Sequence, residues 1–276
     1  MPVPLRKLWF APWIMLLTFA SMSHAEHYDV YLLAGQSNMD GRGSASDLTE
    51  ADQLPFVNAI IFYRNAKQTS QTWCPLSTGF SVPPKFKGDL PSSTFGPEIG
   101  FTRILMEHSP EQKIALIKGS QGGTSLKEDW KPGTKGDLRS QGPQYADFIE
   151  TIAMATEQLS RQGDSWALRG LLWHQGESDS KSSQADYQRR LTEFIRRLRE
   201  DLDHAELPIV VGEVYDNGNR DSVRAATRVV AADDPTVGLV SSDGTKTWDP
   251  GTHFDARSQL LLGKRYASAM LMLQSE

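Results

Sequence analysis

Short apolar runs alternate along the chain with segments whose apolar residues recur at three- and four-residue spacing. The apolar runs have the length and near-continuous hydrophobicity of strands that are buried on both faces of a sheet. Five of them are predicted as strands: Tyr28–Ala34, Ala59–Tyr63, Ile114–Lys118, Leu168–His174 and Pro208–Val214. A sixth run, Val237–Val240, is predicted as a short extra strand or an extended segment.

The segments between these runs have the periodicity of amphipathic helices. The clearest places Tyr187, Leu191, Phe194, Ile195 and Leu198 on one helical face. The predicted helices are Pro97–His108, Tyr145–Gln162, Gln184–Leu202, Ser222–Ala232 and Asp255–Leu273. Because strands and helices alternate, we expect an α/β fold with a parallel sheet and helices on both faces.

The N-terminal segment has the features of a secretory signal peptide. Arg6 and Lys7 precede an apolar stretch, Leu8–Ala20, which ends near the small-x-small sequence Ser23-His24-Ala25. The stretch is shorter than the roughly 20 residues that a membrane span needs, although an uncleaved anchor is the alternative. We therefore predict a signal peptide over 1–25 and an exported protein, periplasmic or secreted, that consists of one domain over 26–276.

Charge and cysteine content exclude several classes of site and partner. The net charge of −5 and the scattered Lys and Arg residues argue against a nucleic-acid or membrane-surface partner for the mature protein. The single cysteine, Cys74, excludes a disulfide within the chain and a cysteine-based zinc site. We predict no metal and no cofactor, and the sequence gives no indication of the oligomeric state.

Polar and glycine-rich motifs follow four of the predicted elements, at the sheet edge where open α/β sheets bind ligands. The first, Gly35-Gln36-Ser37-Asn38-Met39, places a serine directly after the first strand. Taken alone, this serine is as consistent with a helix cap as with a nucleophile. The other motifs are Gly119–Ser125, Trp173–Asp179 and Trp248–Asp255.

Together these motifs contain every group that an acyl-transfer site needs. Ser37 is the candidate nucleophile, and His253 is the candidate base, with His174 as its competitor. Asp249 is the candidate acid that orients the base, since it lies four residues before His253. The predicted oxyanion donors are the backbone N–H of Ser37, that of Gly122 or Gly123, and the side-chain amide of Gln175.

The motifs resemble the SGNH hydrolase superfamily, in the branch that contains sialate O-acetylesterases and the acetylxylan esterases of carbohydrate esterase family six. The resemblance implies a three-layer α/β/α sandwich with a five-stranded parallel sheet in flavodoxin-like order. It also implies that the nucleophile is Ser37, that the catalytic histidine is His253, and that Gln175 replaces the superfamily's oxyanion asparagine. The matching segments are Gly35–Met39, Gly122–Ser125, Trp173–Asp179 and His253–Asp255.

The sequence departs from the family at the acid. The family commonly has Asp-x-x-His, whereas Asp249-Pro250-Gly251-Thr252-His253 is one residue longer. A Pro-Gly turn is able to absorb the additional residue, so Asp249 remains the predicted acid. Glu177 and Asp243 are the alternatives, as is a Ser–His pair whose histidine is oriented by a backbone carbonyl.

The predicted function is that of a serine esterase that removes O-acetyl groups from carbohydrate through an acetyl-enzyme intermediate. Acetylxylan and sialic-acid-type substrates both remain open, and the alternatives are an SGNH lipase or thioesterase and a carbohydrate-binding protein whose catalytic site has decayed. Irregular loops over 71–95 and 127–144 are expected to frame the substrate site. The candidate substrate-binding residues are Gln36, Asn38, Arg42 and Trp130, with Trp73, Phe80, Phe86 and Tyr145 as further aromatic candidates.

Overall fold

The computed structural model describes residues 25–82 and 93–275. Most of the predicted signal peptide and the aromatic candidate Phe86 therefore lie outside the described residues. Among the residues that are described, no helix combines the length and the apolar character that a membrane span requires.

A mostly parallel sheet forms the centre of the molecule. The six parallel strands are β1 (His27–Gly35), β3 (Ala59–Asn65), β7 (Lys113–Ser120), β8 (Ser165–His174), β9 (Ile209–Gly212) and β10 (Val237–Val240). Two short strands, β4 (Gln68–Thr69) and β5 (Cys74–Pro75), pair antiparallel with β3. A separate two-stranded ribbon pairs β2 (Gly43–Ser44) with β6 (Thr94–Phe95).

Helices cover both faces of the sheet. They are α1 (Ser37–Asp40), α2 (Glu98–His108), α3 (Pro143–Arg161), α4 (Gln184–Asp201), α5 (Asp221–Asp233) and α6 (Ala256–Ser275). Helices α3, α4 and α5 bury one apolar core against the sheet, whereas α2 and α6 bury a second core on the opposite face. All five residues of the predicted apolar face of α4 are buried, which confirms the helical periodicity of that segment.

The α/β/α class is confirmed. Five of the parallel strands lie side by side in the order β7-β1-β8-β9-β10, which is the flavodoxin-like order 2-1-3-4-5 when these five are numbered along the chain. The strand count differs slightly from the prediction, because β3 adds a sixth parallel strand beside β7. A strand that is buried on both faces has the same apolar pattern at every position, so the pattern does not encode the order.

Three strand ends meet where the predicted motifs begin. Gly35, the last residue of β1, is in register with Ser120 of β7 on one side and His174 of β8 on the other. Its φ is +143°, and a Cβ placed on it would lie 2.1 Å from the His174 carbonyl oxygen. Glycine is therefore required here, because any side chain would separate β1 from β8 just before the chain turns into α1.

Candidate active site

Three of the predicted residues form a continuous hydrogen-bonded line at this edge of the sheet. The Nε2 atom of His253 lies 3.1 Å from Oγ of Ser37, the first residue of α1. On the other side of the imidazole, Nδ1 lies 2.6 Å from Oδ2 of Asp249. These contacts have the geometry of a nucleophile, a base and an acid that orients the base.

The base lies on a short loop that is closed by backbone pairing at its own ends. Thr247 and Phe254 form an antiparallel bridge, and the N–H of Trp248 donates to the carbonyl oxygen of His253 at 3.1 Å. Because α6 begins two residues after Phe254, the loop is anchored directly to a helix that packs on the sheet. The position of His253 is thus set by the backbone of its own loop.

The carboxylate of Asp249 organises the inside of this loop. Its Oδ1 atom accepts hydrogen bonds from the backbone N–H groups of Thr252 (3.0 Å) and His253 (2.7 Å). Gly251 has a φ of +75°, which lets the chain turn back within the loop. The additional residue relative to Asp-x-x-His is absorbed in this turn, so the carboxylate still reaches the imidazole.

Asn38 connects the serine to the histidine loop. Its side-chain oxygen accepts from the N–H of Phe254 at 3.1 Å, and its Nδ2 donates to the carbonyl oxygen of Thr252 at 2.9 Å and to the Glu177 carboxylate. Two of these partners flank His253 in sequence. Asn38 is 2% exposed, so the structure gives it a role in holding the loop and not the predicted role in binding substrate.

Gln36, on the other side of the serine, connects α1 to the loop after β8. Its side-chain oxygen accepts from Nε2 of Gln175 (3.1 Å) and from the backbone N–H groups of Gly176 (3.4 Å) and Ser178 (3.2 Å). Gln36 borders the cleft in front of Ser37, but its amide oxygen is directed into the protein. Its oxygen thus supports the framework, and its contact with substrate stays a prediction.

The structure does not place Gln175 as an oxyanion donor. Besides Gln36, its Nε2 lies within hydrogen-bonding distance of the Thr124 carbonyl oxygen (3.1 Å) and of Asp179 Oδ2 (2.7 Å). The residue is 1% exposed and does not border the cleft. Its two amide hydrogens are thus directed to acceptors inside the protein, which a sequence motif does not reveal.

The structure distinguishes between the two glycines that the motif left open. A Cβ placed on Gly122 would lie 3.3 Å from Cβ of Ser37, whereas Gly123 has no heavy atom within 4 Å of such a position. Gly122 therefore lies directly against the serine, and both glycines border the cleft in front of it. The N–H of Ser37 has no partner inside α1, because the first N–H groups of a helix never do.

A buried carboxylate that we did not predict lies behind the serine. Asp40, the last residue of α1, is completely buried. The burial of Tyr63 and the nearby charge of Asp40 raise the pKa of the Tyr63 hydroxyl far above its usual range, so this hydroxyl keeps its proton and donates to Asp40. The partners of the carboxylate are Arg42 Nη1 (2.5 Å), Tyr63 Oη (2.7 Å), Ser120 Oγ (3.0 Å), Asn65 Nδ2 (3.1 Å) and the N–H of Val82 (3.1 Å). The only signal in the sequence was its place directly after the serine motif.

A cleft of about 470 Å³ opens in front of Ser37 and His253. Three cationic side chains border it, Arg42, Lys67 and Arg220, together with the carboxylate of Glu177. Arg220, which we also did not predict, donates to the Gly251 carbonyl oxygen (3.0 Å) and to Thr252 Oγ1 (3.2 Å), and so holds the turn before the histidine. A larger hollow of about 850 Å³ lies between the ends of α4 and α5 and contains none of the predicted site residues.

Several predicted residues lie elsewhere. Trp130 is completely buried between Trp173 and Phe148, with its Nε1–H bonded to Thr124, so the prediction that it binds substrate is wrong. Its position in a Pro- and Gly-rich segment predicted a surface loop, but the indole packs in the apolar core. Of the other aromatic candidates, Tyr145 is completely buried, and Trp73 and Phe80 pack against the two cores.

The alternative bases and acids do not reach the line of three residues. Burial lowers the pKa of His174, and its Nδ1 pairs with the Tyr266 hydroxyl at 2.9 Å instead of with Ser37. Asp243 is an exposed residue whose carboxylate lies 3.7 Å from Arg224. Glu177 accepts from Asn38, and among the described residues no group of three or more His, Cys, Asp or Glu side chains is arranged to hold a metal.

One further residue, Trp248, lies against the base. Its indole stacks on the imidazole of His253, with the ring centroids 5.5 Å apart and the planes inclined by 10°. We did not predict this contact. The signal in the sequence was the place of a tryptophan immediately before Asp249.

Residues 27–272 match the family model described as carbohydrate esterase, sialic acid-specific acetylesterase. A probable carbohydrate esterase of Arabidopsis thaliana is 26% identical over 257 residues, which are 88% of this chain and 90% of the relative.

Solved structures share the fold. A crystal structure of an Arabidopsis thaliana protein aligns with a TM-score of 0.68 at 22% identity and covers 88% of this chain and 98% of its own. The crystal structure of NanS aligns with a TM-score of 0.65 at 16% identity, and the alignment covers 91% of this chain and 98% of NanS. The crystal structure of a carbohydrate acetylesterase from Xanthomonas citri aligns with a TM-score of 0.63 at 18% identity, and the alignment covers 90% of this chain and 57% of that chain.

The family match extends from the first residue of β1 into the last turns of α6, and so includes all three residues of the hydrogen-bonded line. It also confirms the resemblance that the sequence motifs indicated. The chain belongs to the carbohydrate esterase, sialic acid-specific acetylesterase family.

Proposed function

We propose that this protein hydrolyses O-acetyl esters of carbohydrates with Ser37 as nucleophile, His253 as general base and Asp249 as the acid that orients the base. The observation that carries the proposal is the line of contacts from Ser37 Oγ through the imidazole to the Asp249 carboxylate. Membership of a carbohydrate esterase family supports the reaction class. The contacts also weigh against a decayed binding protein, because the longer Asp249-to-His253 spacing still delivers the carboxylate to the imidazole.

In the first step, Oγ of Ser37 attacks the acetyl carbonyl carbon while its proton passes to Nε2 of His253. The carbonyl oxygen becomes an oxyanion, for which the N–H groups of Ser37 and Gly122 are the proposed donors. One such donor contributes about 3 kcal/mol to the stability of the transition state. The intermediate then expels the sugar oxygen, which takes the proton from His253 and leaves an acetyl ester on Ser37.

In the second step, water attacks the acetyl ester and gives its proton to the same imidazole. Collapse of the second tetrahedral intermediate releases acetate, and the proton returns to Oγ of Ser37. Throughout both steps Asp249 holds the proton of Nδ1, so that Nε2 faces the serine and the imidazolium is stabilised as it forms.

The composition of the cleft favours a short acyl group over a lipid chain. Of the described residues that border it, Val82 is the one with an apolar side chain. A long acyl chain needs a continuous apolar groove, because each methylene contributes about 0.8 kcal/mol only when it leaves water for an apolar surface. An acetyl group has no such requirement, and the Xanthomonas citri protein of similar fold is described as a carbohydrate acetylesterase.

The first test replaces the nucleophile. Ser37→Ala is expected to abolish hydrolysis of p-nitrophenyl acetate and release of acetate from acetylated glycans, because the acyl ester forms on the Oγ atom that the change removes. The variant should unfold at the same urea concentration as the wild type, since only one oxygen atom is lost. Retention of most of the activity would refute the assignment of Ser37.

The second test decides the acid. Asp249→Asn is expected to lower kcat by about 10⁴, because the amide favours the wrong imidazole tautomer. The control is Asp243→Asn, which changes an exposed aspartate outside the line of contacts and is expected to leave kcat unchanged. If Asp249→Asn retains near-normal kcat, the histidine is oriented by another group and the proposed triad is wrong.

The charge of the cleft favours an acidic sugar. Among the described residues that border the cleft, Arg42, Lys67 and Arg220 are cations and Glu177 is the carboxylate, although the whole chain is negatively charged. Arg42 is paired with the buried carboxylate of Asp40, so Lys67 and Arg220 contribute most of the positive charge. Arg42 brings its Nη2 atom close to Gly122 and therefore to the proposed oxyanion position. We propose that these cations attract the carboxylate of an acetylated acidic sugar, and that neutral acetylated sugars bind more weakly.

The third test measures this preference. Lys67→Met should raise KM for an O-acetylated acidic sugar about threefold and leave KM for acetylxylan fragments unchanged, since an exposed charge pair is worth up to about 1 kcal/mol. The effect should diminish as salt is added, because screening weakens the same attraction. Lys264→Met, on the exposed side of α6, is the control and is expected to change neither value. Equal effects of Lys67→Met on both substrates would contradict the preference.

We also propose that the protein is exported and that residues 1–25 are removed. The support is the order of positive, apolar and small-residue segments at the N-terminus. Protein recovered from outside the cytoplasm should begin at Glu26 when its N-terminus is sequenced. A product that keeps its first 25 residues would contradict cleavage.

A further inference from the structure

The stack of Trp248 on His253 is not explained by the chemistry proposed above. The two rings are nearly parallel, 10° apart in plane, and their centroids are separated by 5.5 Å. The backbone of Trp248 is held in this place, because its N–H donates to the carbonyl oxygen of His253 and the residue adjoins the bridge between Thr247 and Phe254. The indole is 39% exposed, so it is not there simply to fill the core.

The face of an indole attracts a cation more strongly than a neutral ring. The π-system carries negative charge on its face, and tryptophan makes the strongest such contacts among the aromatic side chains, worth about 0.5–1 kcal/mol at exposed sites. His253 alternates in the proposed reaction between a neutral imidazole and an imidazolium. The indole therefore stabilises the protonated imidazole more than the neutral one.

Several charged groups also act on this imidazole. Asp249 contacts it within the loop, and Arg220 reaches it through Thr252 from the segment before α5. Across the cleft lie Arg42 and Lys67, on the sides of α1 and β3, and Glu177 after β8. The cations oppose protonation of the imidazole and the carboxylates favour it. A substitution at Trp248 leaves all of these charged groups in place. A change in the titration of His253 in such a variant is therefore not due to the loss of a charge.

From this geometry we propose that Trp248 is a positioning residue that raises the proton affinity of His253 and stabilises the imidazolium formed in the transition state. The inference rests on the proposed role of His253 as the base. It adds a contact that acts on the reaction through the imidazole and does not touch the substrate. The contribution falls on kcat and on the pH dependence, because the substrate is bound while the imidazole is still neutral.

The test compares two variants with a matched control. Trp248→Leu removes the π-face but keeps an apolar side chain, and Trp248→Phe keeps a weaker π-face. Trp166→Leu removes a tryptophan of nearly equal exposure, 38%, in β8 at the opposite end of the sheet. For each protein, kcat and kcat/KM for p-nitrophenyl acetate are measured between pH 5 and pH 9, and the imidazole of His253 is titrated by NMR.

The expected result has a defined sign. Because the stack favours the protonated imidazole, its loss should move the acidic limb of kcat/KM and the NMR titration midpoint of His253 to lower pH. In Trp248→Leu the shift should be about 0.4–0.7 pH units, with a fall in kcat of about 2- to 5-fold at the plateau. Trp248→Phe should give a smaller shift, and Trp166→Leu should give none.

Three outcomes would overturn the inference or separate it from the proposed function. An unchanged titration midpoint in Trp248→Leu, even with reduced kcat, would mean that the indole only holds the loop in place. A midpoint that moves to higher pH would reverse the proposed sign. If the wild-type protein has no esterase activity, the proposed function fails, but the NMR titration of His253 still decides the effect of Trp248. If Trp248→Leu does not fold, the same titration is carried out on Trp248→Phe.

Discussion

The carboxylate of Asp40 is the interaction on which the arrangement of the site depends. It lies three residues after Ser37, is completely buried, and is held by five donors from β3, from β7, from the segment around Val82 and from Arg42. A buried charge that loses its partner destabilises a protein by about 3–5 kcal/mol, so the folded state strongly favours the arrangement in which these segments come together. Lys118 extends the network, since its ammonium bonds to the Asp40 carbonyl oxygen and pairs with the buried carboxylate of Glu98. The end of α1 is thereby fixed to two strands, and the serine at its beginning is fixed with it.

The other neighbours of the serine are tied to different parts of the molecule. Gly35 allows the close approach of β1 to β8, Gln36 bonds to the loop after β8, and Asn38 bonds on both sides of His253. A reacting constellation has to be held to within about 0.5 Å, which a serine on a free loop would not achieve. The side-chain oxygens of Gln36 and Asn38 accept hydrogen bonds inside the protein, and these bonds help to place the hydroxyl of the serine between them.

Much of this could be predicted from the sequence, and the exceptions have physical reasons. The strands and helices follow from apolar periodicity, and the meeting of Ser37 with His253 was indicated by the polar motifs and by their resemblance to the family. The partners of Gln175 could not be predicted, because the sequence of a motif does not show whether an amide side chain faces a cleft or bonds to acceptors inside the protein. The amide of Gln175 has three such internal acceptors. The burial of Trp130 was missed because its flanking glycines and prolines indicate a loop but not the direction of the indole. The place of β3 beside β7 and the network around Asp40 depend on pairings between distant segments, which local patterns do not contain.

The two halves of the proposed catalytic apparatus differ in how they are built. The acid and the base lie on one loop whose backbone bonds, between Trp248 and His253 and from Asp249 to two N–H groups, hold them in place locally. The serine and its glycine neighbour come from the ends of two strands and require the whole sheet. Asn38 joins these halves, since it belongs to the serine segment and bonds to the backbone on both sides of His253, and Gln259 of α6 donates to its carbonyl oxygen. These bonds hold the loop against the serine segment, while Asp249 and Trp248 contact the imidazole from within the loop. Substitutions in the loop that keep its backbone bonds therefore change the surroundings of the imidazole while Asn38 still holds the loop against the serine segment.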